Sequence, residues 1–148
     1  MELTAKDKKI LNVITQNSKL SLREIAKKTG ISVVTVMNHI KALEKEGVIS
    51  KYSARLNYEK IGYDVEVLIE IKISNGKLFE VEKKIANHPN VFAVYDITGP
   101  FDAVVLARFL TRRQMDNFVK TIQTYHFVER TETKLVLNTI KDDCIEII

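Results

Sequence analysis

Apolar residues recur at spacings of three and four over the first fifty positions and at every second position from Val65 onward. The chain therefore passes from a helical period to a strand period. In the front part Leu3, Ile10, Leu11 and Ile14 fall on one helical face. Thr4 stands where an N-cap belongs, and Asp7 favours the positive end of the first turn. Ser21-Leu22-Arg23-Glu24 has the capping-box form and opens a short second helix through Leu22, Ile25 and Ala26. Thr29-Gly30 ends it, because glycine accepts the left-handed backbone of a helix exit. Ser32 caps a third helix that runs to Glu46 and stops at Gly47. Its apolar stripe is Val33, Val36, Met37, Ile40 and Leu43; the other side carries Thr35, Asn38, Ala42 and Lys45, flanked by Val34 and His39. Residues 48–56 hold β-branched and aromatic side chains and predict a strand or small wing, followed by a linker to Tyr63.

The back part begins with Val65, Val67, Ile69, Ile71 and Ile73 in strict alternation, a strand with one buried face. A helix follows over 77–87, then strands over 91–98 and 101–109 joined by Gly99-Pro100. Thr111 and Gln114 form another capping box, whose helix places Met115, Phe118, Val119 and Ile122 on one face. A last strand runs over 128–140. The order βαββαβ is ferredoxin-like, with both helices on one face of an antiparallel sheet. The fold class is thus α+β: a helix-turn-helix, winged-helix-like domain over 1–50, a strand and linker over 51–63, and a ferredoxin-like domain over 64–148. Val94, Val104, Leu106, Val136 and Ile140 stand opposite apolar neighbours Ala93, Val105, Leu135 and Leu137. Strands apolar on both faces predict that the sheet is covered by a second copy of the chain.

Charge divides along the same line. Residues 1–62 carry 12 basic and 6 acidic side chains, and residues 63–148 carry 11 and 13. A basic front half points to a polyanion as partner. With 45% hydrophobic residues the chain can bury a core. No apolar run approaches the ~20 residues that span a bilayer, and the charged N-terminus lacks the pattern of a secretion signal. A cytoplasmic, nucleoid-associated protein without a membrane partner is the expectation. A lone Cys144 and scattered His39, His88 and His126 have no metal-ligand spacing, so neither metal nor cofactor is expected.

Two short capped helices joined by Thr29-Gly30-Ile31-Ser32 read as a helix-turn-helix, whose second helix enters the major groove of duplex DNA. Asn38 can pair with adenine, Thr35 and Ser32 can donate or accept, and Val34 can meet a thymine methyl, with His39 beside them. Arg23, Lys27, Lys28, Lys41, Lys45, Lys51 and Arg55 are candidates for phosphate contacts.

The run Ile40-Lys41-Ala42-Leu43-Glu44-Lys45-Glu46-Gly47-Val48-Ile49, the Tyr52-x-Ala54-x-Leu56 segment, Gly62 and Thr98-Gly99-Pro100-Phe101-Asp102 resemble the Lrp/AsnC family of feast/famine regulators. The resemblance covers nearly the whole chain. It implies a transcription regulator, not an enzyme, assembled as dimers or multiples of dimers such as octamers. It also implies an amino-acid effector held by the loop between the second and third strands, with Thr98, Gly99 and Asp102 as candidate contacts. A carboxylate suits an α-ammonium group, and glycine permits close approach. His39 and Ala42 replace the arginines that many relatives carry late in the recognition helix, so no operator is carried over. Siroheme decarboxylases resemble the same layout; Arg108, Arg112, Arg113, His126 and Arg130 would be the basic groups for such an enzyme. A stand-alone small-molecule sensor is the third reading.

Overall fold

The computed structural model describes residues 2–148, apart from the side chain of Glu82. Its chain divides into two compact units, Met1–Arg55 with Lys141–Ile148, and Leu56–Ile140. The last eight residues, 141–148, group with the first unit. The cause is local: the Asn12 side chain donates to the Ile147 carbonyl (3.0 Å) and accepts from its amide (2.8 Å), while Ile147 packs on the three-helix core.

The first unit consists of α1 (Ala5–Gln16), α2 (Leu22–Thr29) and α3 (Val33–Lys45). Each starts at the expected cap. Thr4 and Asp7 exchange hydrogen bonds, as do Ser21 and Glu24, and Ser32 Oγ accepts from the Thr35 amide. Gly30 closes α2 at φ 71°, and the chain then turns into α3. Ile10, Leu11, Ile14, Ile25, Ala26, Val36 and Leu43 form the buried core. Residues 48–56 form no strand. β-branched side chains favour extended backbone, but a strand also needs a neighbour for its amides and carbonyls. Among the described residues this segment has no such neighbour; Tyr52 instead donates its hydroxyl to Glu44 Oε1 (2.8 Å).

The second unit is a four-stranded antiparallel sheet in the order β2-β3-β1-β4: β1 (Val65–Ile73), β2 (Val91–Asp96), β3 (Ala103–Phe109) and β4 (Val128–Leu135). Helices α4 (Leu78–Lys84) and α5 (Arg112–Gln123) complete the βαββαβ order. Val67, Ile69, Ile71, Ala103, Val105, Ala107 and Phe109 turn inward against Val81, Ile85, Phe118, Ile122 and Phe127. Burying each large apolar side chain stabilises the unit by about 1.5–3 kcal/mol. The elements are shorter than the periodicity predicts. β4 stops at Leu135, not 140, because its partner β1 begins at Val65; one further bond, Val136 amide to Glu66 carbonyl, uses the last rung. Ile140 thus lies outside the sheet and is exposed. Gln114 forms only half of the expected capping box: Thr111 Oγ1 accepts from its amide, but its own side chain accepts from Leu110.

Candidate nucleic-acid interface and effector loop

Helix α3 has two sharply different sides. Val36 and Leu43 are fully buried and Met37 and Ile40 partly so, which anchors the helix on α1 and α2. On the other side Val34, Asn38, Lys41, Ala42 and Lys45 are exposed. Val34 is 63% exposed, a high figure for an apolar side chain at the start of a helix. Val33, expected on the apolar stripe, is itself 39% exposed and belongs to the open rim. Ser32 and Thr35 do not stand free. Their hydroxyls share a 2.8 Å hydrogen bond, and Ser32 also caps the helix, so any contact they make is added to that arrangement.

His39 occupies neither side cleanly. Its Nδ1 lies 2.6 Å from Asp7 Oδ1, which pulls the ring toward α1 and away from the position expected of a base-reading side chain. Asp7 is the buried charged residue of the described chain, at 1% exposure. Its other oxygen accepts from the Thr4 amide (2.8 Å) and the Thr4 hydroxyl (2.6 Å). Burial pushes its pKa up, but the bonds from Thr4 and His39 outweigh burial and hold it below the usual carboxylate range. From the sequence, Asp7 has only a helix-dipole role. Its spacing to Thr4 was the available signal; the partner 32 residues away was not.

The candidate phosphate contacts fall into two groups. Arg23, Lys27 and Lys28 on α2, Lys41 and Lys45 on α3, and Lys51 beyond it are exposed and make no ion pair among the described residues. Arg55 differs. Its guanidinium pairs with Asp142 (3.1 Å) and Asp143 (3.3 Å) of the C-terminal tail, so a phosphate would have to displace two carboxylates. These groups are more than half exposed, and such pairs are weak in water.

The face of the sheet away from α4 and α5 is a mixture. Leu68, Val104 and Leu106 are half-buried, and Ala93 and Tyr95 lie beside Leu106 and Val104 in register. Val94 does not join them: opposite Val105, it points to the helix side. Arg108 donates to Glu66 (2.8 Å), and its guanidinium lies 4.0 Å from the Phe92 ring centre and 4.5 Å from that of Tyr58. Lys134 pairs with Glu70 and Glu132.

At the β2–β3 loop Thr98 and Gly99 are exposed. Gly99 has φ 110°, which a side chain would strain, and open space where a Cβ would stand. Asp102 is already engaged. Its Oδ2 accepts from the Ile73 amide (2.8 Å) and its Oδ1 from Lys72 (3.2 Å), so the carboxylate ties the loop to the end of β1. The amide bond of Ile73, with Lys72 adding to it, holds Asp102 below the usual carboxylate range despite some desolvation. Asp102 also lines a depression of about 160 Å³ with Asp96, Ser74, Asn75, Gly76, Leu78 and Ile73. Asp96, Ser74 and Asn75 carry no sequence signal for this place; they approach because β1 and β2, both antiparallel to β3, finish at the same end of the sheet. Of the basic groups considered for an enzyme, Arg108 sits between two aromatic rings and Arg130 lies 4.8 Å over Phe101. His126 stands edge-on to Phe127.

Comparison with known proteins matches both units. A model of the Lrp/AsnC ligand binding domain covers residues 66–145, and a winged helix-turn-helix DNA-binding model covers residues 3–50. An uncharacterised HTH-type transcriptional regulator of Pyrococcus horikoshii is 45% identical over 143 residues, 97% of each chain. The HTH-type transcriptional regulator FL11 of Pyrococcus furiosus is 38% identical, over 92% of this chain and 90% of its own. A Neisseria meningitidis transcriptional regulator solved as a complex with L-Met superposes with a TM-score of 0.87 at 26% identity, over 96% of this chain and 94% of that one. With a family model over more than half its length and close relatives along nearly all of it, the chain belongs to the Lrp/AsnC family of transcriptional regulators.

Proposed function

We propose that the protein is a sequence-specific DNA-binding regulator that acts as a dimer or a multiple of dimers on the nucleoid, in the cytoplasm. The observation that carries this reading is the outer side of α3. Asn38, Val34, Lys41 and Lys45 are exposed on a helix locked in place by Val36 and Leu43. A major groove admits one such helix and offers base edges to it. Asn38 and Val34 are the base-reading residues, with Thr35 and Ser32 supporting them at the start of the helix. Arg23, Lys28, Lys41, Lys45 and Lys51 contact phosphates, with Lys27 beside them and Arg55 joining once it leaves the tail.

Dimerisation uses the outer sheet face. The half-buried Leu68, Val104 and Leu106 are the residues that a second copy would seal from water, with the Arg108–Glu66 pair at their edge. The effector is an amino acid at the β2–β3 loop. Asp96 and Asp102 supply negative charge for an ammonium group, and Thr98 and Gly99 supply an open approach. The L-Met complex of the Neisseria relative supports this ligand class. The protein is a regulator and not an enzyme: its relatives are named as regulators, and Arg108 and Arg130 lie on separate aromatic contacts.

The test is a mobility-shift titration with a fragment of the protein's own promoter at rising salt. Affinity falls steeply with salt, and Asn38→Ala weakens the specific fragment by about 1–3 kcal/mol relative to unrelated DNA. Absence of binding at low salt overturns the proposal.

A further inference from the structure

Resting on the DNA-binding reading above, the geometry points to His39 as a protonation-dependent phosphate contact that Asp7 holds in position. Asp7 Oδ1 takes the Nδ1 edge of the imidazole at 2.6 Å and fixes the ring. Among the described residues the opposite edge, Nε2, has no partner, and no buried side-chain nitrogen lacks one. Nε2 is therefore at the surface. The ring lies at the border of the two sides of α3, one turn beyond Thr35 and three residues before Ala42, next to the DNA-reading stripe.

The protonation state decides what Nε2 can do. With Nδ1–H given to Asp7, a neutral ring leaves Nε2 an acceptor, which has nothing to offer a phosphate oxygen. Protonated, the same atom becomes a donor on a cation, and a phosphate gains a charge-assisted bond. The neighbouring charges do not confuse the assignment. Asp7 on α1 is the group that meets the imidazole, and its second oxygen is committed to Thr4. Glu24 on α2 is bound to Ser21, and on α3 Glu44 is bound to Tyr52. Lys6, Lys8 and Lys9 of α1, Arg23, Lys27 and Lys28 of α2, and Lys41 and Lys45 of α3 form no ion pair with either Asp7 or Glu24 among the described residues. Asp7 acts through His39, as a positioning residue: it sets the tautomer and aims the free nitrogen outward.

The experiment is fluorescence-anisotropy binding of the full chain to its promoter fragment at pH 6 and pH 8, at constant ionic strength. Wild type binds about tenfold tighter at pH 6, the ratio expected of one charge-assisted hydrogen bond. His39→Gln binds at the pH 8 level at both pH values. His39→Arg keeps a cation there and loses the pH dependence. The dependence of affinity on salt is steeper by about one unit at pH 6 than at pH 8 in wild type, and equal at both in His39→Gln. Thermal melting checks that each variant is folded. His88 and His126, in the other unit, remain in all variants and serve as internal controls. A pH-independent wild type, or a His39→Gln variant that keeps the wild-type ratio, overturns this inference while leaving DNA binding intact. Failure to bind at either pH at low salt overturns the DNA-binding reading itself.

Discussion

The three-helix unit and the sheet unit are stabilised in different ways. The sheet unit buries whole rows: β1 is paired on both sides, and its inward residues meet two helices. The three-helix unit has helices of 12, 8 and 13 residues, lengths that are marginal in isolation. Its core is smaller, and it relies on reciprocal caps, a docked tail and one buried carboxylate. Positional precision therefore has a different source in each unit. A ladder of strands tolerates the loss of one polar bond, whereas the placement of α3 against α1 rests on Leu43, Val36 and the Asp7–His39 contact.

The largest effects come from the two cores. Phe109→Ala in the sheet unit costs about 3–5 kcal/mol and Leu43→Ala in the three-helix unit about 2–5 kcal/mol. Hydrogen exchange resolves the units: each substitution accelerates exchange mainly in its own unit. Equal acceleration in both would show that they unfold as one body and that the contrast is unreal.

Acid affects the two units unequally. The folded pKa of Asp7 lies below its unfolded value, so the ionised form is favoured in the native state. Its contribution is present above the unfolded carboxylate value of about 3.9 and is lost as pH falls through the lower folded value. Asp102 in the sheet unit shifts in the same direction, but it is partly exposed and screened. Near pH 3 the amide protons of α1 and α3 therefore exchange faster, relative to those of β1 and β3, than they do near neutral pH, and Asp7→Asn removes that pH dependence. Strands that loosen first would contradict the assignment.

Caps come third. Ser21 takes part in a reciprocal box and Thr111 in half of one. Ser21→Ala costs about 1 kcal/mol and Thr111→Ala nearer 0.5 kcal/mol, both measured by urea denaturation. A larger cost at Thr111 would mean that the sheet unit depends on its caps as much as the helical one. The smallest effect on stability is that of Lys45→Ala, within about 0.5 kcal/mol, while it lowers the salt dependence of DNA affinity by about one unit. An unchanged salt dependence would remove Lys45 from the contact set.

Much of this was legible from residues alone. The caps at Thr4, Ser21, Ser32 and Thr111, the exits at Gly30 and Gly47, and the alternation from Val65 to Ile73 mark the elements nearly to the residue. The side of α3 that faces water followed from its period. The placement of His39 did not, because position 39 borders both sides and only a partner on another helix tilts it. Asp102 was legible as a loop carboxylate, but not as one already bonded to Ile73 and Lys72. The missing wing has the same origin as the shortened β4: extended segments become strands only where a neighbour runs beside them.

Sequence alone determined the helices, their caps, the strand period and the order βαββαβ, since each depends on residues within about four positions of one another. Tertiary structure decided the Asp7–His39 contact across 32 residues, the Asn12–Ile147 clasp across 135, and the register that ends β4 at Leu135. Contacts between distant residues depend on which surfaces meet once the chain has collapsed, and no local pattern records that choice.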